Sequence, residues 1–173
     1  MAANTASEEA LGPVPRSDGG LRTGRRISPV FVIDIPGHEG LMLITDAAIN
    51  ILPDLMTKAD IVQNAIDLAN AIGLKLPRVG ILSAVETINP AIPSTIDAAA
   101  LAKMAERGQI KGGLVDGPLA MDNAVDLEAA RTKGIHSTVA GRADVLVAPN
   151  LEAGNMLAKQ LVFLSQADTG GLV

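Results

Sequence analysis

Four polar residues in this chain each follow a short apolar run, and their types could do chemistry. Asp46 follows Leu41-Met42-Leu43-Ile44-Thr45, and Ser83 follows Val79-Gly80-Ile81-Leu82. Asp116 follows Leu114-Val115, and Asn150 follows Val145-Leu146-Val147-Ala148-Pro149. Carboxylates, a hydroxyl and an amide gathered at one rim can bind a ligand hydroxyl, move a proton or donate to an oxyanion. The same residue types are also ordinary helix N-caps, so spacing alone leaves both roles open. Asp122 follows Asp116 across Gly117-Pro118. Two carboxylates on one loop usually face solvent, but they can hold a metal, a proton or a ligand hydroxyl. Gly154-Asn155 opens what reads as the last helix, where free N–H groups suit a phosphate or oxyanion; Glu152 opposes an anion there.

Composition removes several classes of function. There is no cysteine, so disulfides, thiolate metal sites and a cysteine nucleophile are excluded together. His38 and His136 are the only histidines and lie far apart, which argues against a histidine zinc site. The net charge of −5 disfavours a phosphate backbone as partner, and two phenylalanines with no tyrosine or tryptophan leave almost nothing for bases to stack on. Arg22, Arg25 and Arg26 form one short basic patch, either a solvated linker or a phosphate contact. The start of the chain carries Glu8 and Glu9 without a following apolar run, unlike a secretory signal. No run approaches the roughly 20 apolar residues of a membrane span, so the expected setting is the cytoplasm. A P-loop, a G-x-S-x-G elbow and a G-x-G-x-x-G fingerprint after a strand are all missing.

The elements that must position these residues follow from hydrophobic period. Residues 1–28, rich in glycine and proline, read as a flexible N-terminal segment, with one α/β domain over 29–173. Val30–Ile33 and Leu41–Ile44 flank Pro36-Gly37-His38-Glu39-Gly40 and predict a hairpin. Helices are predicted over Thr57–Ile72, Ser94–Arg107, Asp122–Lys133 and Ala153–Ser165, with Thr57 and Ser94 as N-caps. Between them lie strands at Val79–Leu82, Gly112–Val115 and Asp144–Ala148. Continuous apolar strands alternating with amphipathic helices predict a mostly parallel sheet with helices on both faces. Ligands bind such sheets outside the carboxyl ends of the strands.

Four longer stretches carry a resemblance. Residues 139–159, VAGRADVLVAPNLEAGNMLAK, and residues 112–124, GGLVDGPLAMDNA, resemble marked segments of the phosphate acetyl/butyryl transferases. Residues 20–28, GLRTGRRIS, and 43–50, LITDAAIN, resemble the branch found in bifunctional enoyl-CoA hydratase/phosphate acetyltransferases. The resemblance implies the second domain of an isocitrate/isopropylmalate-dehydrogenase-like fold. It implies acyl transfer between coenzyme A and inorganic phosphate, with coenzyme A as substrate and no resident cofactor or metal. The implied partners are acyl-CoA, phosphate and a second copy of the chain, with neither nucleic acid nor membrane.

By the same resemblance Asp116, Gly117, Asp122, Asn150, Gly154 and Asn155 are expected to bind substrate, while no catalytic residue is assigned. Asn150 stands where many relatives have Asp. The family pattern continues past the position of Val173 with a Ser-Arg…Asp segment and has more upstream, so this stretch alone is expected to be inactive. The alternatives are a non-catalytic domain binding coenzyme A or an acyl phosphate, and a metal-dependent dehydrogenase of the same fold using Asp116 and Asp122. An exposed edge or apolar face is expected to drive self-association.

Overall fold

Val30–Asp34 (β1) and Leu41–Thr45 (β2) form the predicted hairpin, with Phe31 opposite Ile44 and Ile33 opposite Met42. The turn between them uses Gly37 and Gly40, each at φ +81°, a region glycine enters without a Cβ clash. These coordinates come from a computed structural model that describes residues 24–172. Arg22 and most of the expected N-terminal segment lie outside the described residues.

Helices and strands then alternate: α1 (Leu55–Ala71), β3 (Arg78–Leu82), α2 (Pro93–Glu106), β4 (Leu114–Leu119), α3 (Met121–Val125), α4 (Leu127–Thr132), β5 (Val145–Val147), α5 (Leu151–Leu164) and β6 (Asp168–Leu172). The sheet order is β4-β3-β5-β2-β1-β6. β4, β3, β5 and β2 are parallel neighbours, and β1 runs antiparallel to both β2 and β6. The expected mixed α/β sheet, largely parallel, is therefore present. No helix among the described residues is long and apolar enough to cross a membrane.

Two aliphatic layers cover the sheet. On the first face Leu43, Val79, Ile81, Val145 and Val147 pack under Ile61, Val62, Ala65 and Ile66 of α1 and Ala98 and Leu101 of α2. On the second face Ile44, Leu82 and Leu146 pack under Ala124 of α3, Ala130 of α4 and Leu157 and Leu161 of α5. Strand alternation sorts neighbours such as Val145 and Leu146 to opposite faces. Lys58 is buried on α1 and donates to Asp97 of α2 at 2.7 Å, joining the two helices of the first face.

Several local expectations are corrected. The cap of α1 is Asp54, whose Oδ1 accepts from the Thr57 N–H at 2.8 Å; Thr57 is a buried residue inside the first turn. α2 starts at Pro93 after Ile92 without a side-chain cap, because the Ser94 hydroxyl is engaged with Ser83 instead. The single helix expected over Asp122–Lys133 is two, broken at Asp126, whose extended backbone ends α3 and whose carboxylate caps α4. β6 was not anticipated, since Asp168-Thr169-Gly170-Gly171-Leu172 lacks an apolar period; it forms by pairing with β1. Residues 24–28, expected in the flexible segment, lie against α1. Arg25 pairs with Asp67 at 2.6 Å, and Asn64 donates to the Arg26 carbonyl and the Ser28 hydroxyl.

At the amino ends of the parallel strands, Arg78 holds Asp144 through two guanidinium bonds of 2.9 and 2.7 Å and its own N–H at 2.8 Å. Burial would raise the Asp144 carboxyl, but these bonds outweigh it and keep the carboxyl below its usual range. A group depressed in the folded state adds stability above its unfolded value, near pH 4, and loses it as pH falls through the folded value. Asp144→Asn is therefore expected to cost about 1 kcal/mol at pH 7, allowing for solvent screening at the partly exposed guanidinium. Urea unfolding across pH 2–7 checks this: the gap between the two proteins should close below about pH 4.

Candidate functional site

Helices leave the parallel strands on alternating faces. From the order β4-β3-β5-β2, the chain departs β4 to the second face, β3 to the first, β5 to the second and β2 to the first. Each neighbouring pair of strands therefore parts its loops at the carboxyl edge, which is where sheets of this kind open crevices. Three such crevices exist here, and side chains determine which remains open.

Between β4 and β3 the crevice is bridged. Glu86, in the loop after β3, accepts from Lys133 Nζ at 3.2 Å and from Asn123 Nδ2 at 3.4 Å. A backbone bond within Glu86 and the Lys133 ammonium hold its carboxyl below the usual range. Asn123 is fully buried, and its Oδ1 has no partner among the described residues.

Between β5 and β2 the crevice is filled. Gly154, in the first turn of α5, lies directly on the turn after β2; a Cβ there would sit 2.4 Å from the Asp46 carbonyl oxygen and 3.1 Å from Ala148 Cβ. Asn155 Nδ2 donates to the Ala47 carbonyl at 3.1 Å. Asp46 is buried beneath this contact. Its carboxylate accepts from the N–H groups of Ala48, Ile49 and Asn50 and from Asn50 Nδ2, so it shapes the turn and has little capacity left for a ligand. Asn150 caps α5, its Oδ1 accepting from the Ala153 N–H at 2.9 Å.

Between β3 and β5 a cavity of about 450 Å³ stays open. Leu82 and Ala148 form its buried floor, Met121 of α3 stands on one side, and Ala153, Met156 and Leu157 of α5 stand on the other. The polar groups along it are Ser83 and Gln160. Ser83 is nine-tenths buried, and its Oγ lies 2.8 Å from Ser94 Oγ with either able to donate. When Ser94 donates, the Ser83 proton is free for an acceptor in the crevice.

The expected convergence of Asp46, Ser83, Asp116 and Asn150 on one rim is met by Asp46, Ser83 and Asn150, and not by Asp116. β4 does not stop at Val115 but runs through Asp116-Gly117-Pro118 to Leu119. It is an edge strand, where proline is tolerated because one side of its backbone needs no partner. Asp116 pairs with Gly80, two residues short of the β3 tip, and its Oδ1 accepts from the Gly117 N–H. Gly117 lies within the same strand, where a Cβ would meet Ile81 Cβ at 2.8 Å. Asp122 is exposed on α3 and faces a different cavity, with Asp126, Glu128 and Lys133. Asp116 borders a third, against Lys103 and Glu106 of α2, so the two carboxylates do not share a site. Among the described residues no group of three or more His, Asp or Glu is placed to hold a metal. The residues missed from sequence are Met121, Met156, Leu157 and Gln160; only Met156 carries a signal, as an exposed methionine on an otherwise amphipathic helix.

A profile of the phosphate acetyl/butaryl transferases matches residues 2–173, and the chain belongs to that family. A phosphate acetyltransferase of Rhizobium meliloti is 65% identical over 173 residues, covering all of this chain and 55% of that protein. A phosphate butyryltransferase of Clostridium beijerinckii is 46% identical over 163 residues, 94% of this chain and 54% of that one. The crystal structure of a branched-chain phosphotransacylase from Enterococcus faecalis V583 superposes with a TM-score of 0.78 at 34% identity, over 87% of this chain and 56% of that chain. The chain thus spans about half the length of the curated relatives it matches.

The α5 contact yields a direct prediction. Gly154→Ala forces its Cβ against a backbone oxygen, and overpacking of this kind costs about 1–3 kcal/mol. Thermal unfolding should show a loss of several degrees, whereas Gly170→Ala, with nothing within 4 Å of its Cβ position, should leave the midpoint close to that of the parent.

Proposed function

We propose that this chain takes part in acyl transfer between coenzyme A and inorganic phosphate. Support comes from the family match across the chain and from one observation above the others: the open crevice between β3 and β5 ends at a buried serine hydroxyl. In the proposed reaction the coenzyme A thiolate attacks the carbonyl carbon of an acyl phosphate. A C–S bond forms, the bond from the carbonyl carbon to the bridging oxygen breaks, and phosphate leaves with that electron pair. Ser83 donates to an oxygen of the acyl phosphate, where negative charge develops. Asn150, Gly154 and Asn155 act through the backbone they hold: they fix α5, and α5 supplies one wall.

The proposed setting is the cytoplasm, and the proposed assembly is a homo-oligomer. Exposed Ile51, Leu52 and Met56, close together around the start of α1, support self-association.

Calorimetric titration tests the reading. Acetyl phosphate and coenzyme A should each bind saturably, and Ser83→Ala should weaken acetyl phosphate roughly two- to tenfold, the value of one neutral hydrogen bond. Its thermal midpoint should move little. Absence of saturable binding of either compound at millimolar concentration would overturn the proposal.

A further inference from the structure

The cavities of this chain differ in charge. The one beside α4 presents Asp122, Asp126, Glu128 and Lys133; the one at the start of α1 presents Arg26 and Asp54; the one along β4 presents Lys103, Glu106 and Asp116. The crevice between β3 and β5 presents no charged side chain at all, in a chain where 19% of residues are charged. Apart from the exposed Gln160, its floor and walls are aliphatic or thioether, and its one buried polar side chain is that of Ser83. Such a lining disfavours a phosphate or a nucleotide diphosphate, whose charges would lie unpaired against apolar walls. It favours an uncharged chain with a single acceptor at one end.

We infer that this crevice is the acyl-chain pocket, and that Met121 and Met156 set the chain length it accepts. The inference rests on the acyl-transfer reading and goes beyond it by assigning where the alkyl part lies. The carbonyl end sits at Ser83, and the chain extends over Leu82 and Ala148 between the two methionines. Methionine suits this task because an unbranched thioether repacks around ligands of different size. Met156 is two-thirds exposed, so it is free to fold over a longer chain or to swing away. Each methylene moved from water onto these walls should strengthen binding about fourfold.

The test uses methionine methyl groups as reporters. Met42, Met56, Met104, Met121 and Met156 are the five described methionines, and only the last two line the crevice. With 13C-methyl-methionine protein, butyryl phosphate should shift the Met121 and Met156 resonances saturably. Acetyl phosphate should do so at roughly sixteenfold higher concentration, which is two methylenes at fourfold each. Inorganic phosphate alone should leave both unmoved. Met156→Ala should flatten the dependence on chain length, whereas Met56→Ala, an equally exposed methionine elsewhere, should preserve it. Binding of both acyl phosphates with equal affinity, or without a response at Met121 and Met156, overturns the pocket while leaving acyl transfer standing. Failure of both acyl phosphates to bind at all overturns the pocket and the acyl-transfer reading together.

Discussion

Gly154 sits where a Cβ would lie 2.4 Å from the carbonyl oxygen of Asp46, so the first turn of α5 rests directly on the turn that leaves β2. Much of the site depends on that approach. It removes the crevice between β5 and β2, it aims the amino end of α5, and it places Met156 and Leu157 over the neighbouring crevice. Asp46 supports the contact from below by collecting four donors of the turn, and Asn155 adds a bond from above. Side chains at this end of the sheet thus act mainly on backbone, and the backbone shapes the cavity.

The same logic runs across the rest of the carboxyl edge. Glu86, Asn123 and Lys133 tie the β3 and β4 loops together, while nothing ties the β3 loop to α5. An apolar space lined by flexible side chains remains there, with one hydroxyl held in place by a second hydroxyl. The opposite edge of the sheet is fastened by Arg78 and Asp144, away from this cavity. Rigid strands, two closed crevices and one open crevice together make the surface on which the proposed acyl binding rests. Proximity of this kind is a large part of what an acyltransferase contributes.

The sheet was largely legible in the sequence because its strands are continuous aliphatic runs and its helices carry a clear period. Val79–Leu82 and Val145–Val147 admit no other reading once helices flank them. Legibility failed where tertiary pairing overrode local pattern. Asp116-Gly117-Pro118 has the composition of a turn, yet it continues an edge strand because Gly80 pairs with Asp116 and Leu82 with Leu119 beyond it. Asp168–Leu172 has no apolar rhythm, and β1 alone makes it a strand. In the site, Ser83 and Asn150 were visible as polar residues after strands, and Gly154 and Asn155 as the start of the last helix. Which of them borders the open crevice and which hold backbone was not, since it depends on which face each helix takes. The methionines escaped notice because an apolar side chain on a helix is ordinarily core, and only the gap between α3 and α5 distinguishes these two.

The location of the bound acyl group is the central claim, and a crystal soaked with butyryl phosphate examines it most directly. Difference density is expected between Ser83 Oγ and the side chains of Met121 and Met156, with the alkyl end over Leu82 and Ala148. Density for the acyl phosphate confined to the charged cavities beside α4 or along β4, with the crevice between β3 and β5 left empty, would contradict it.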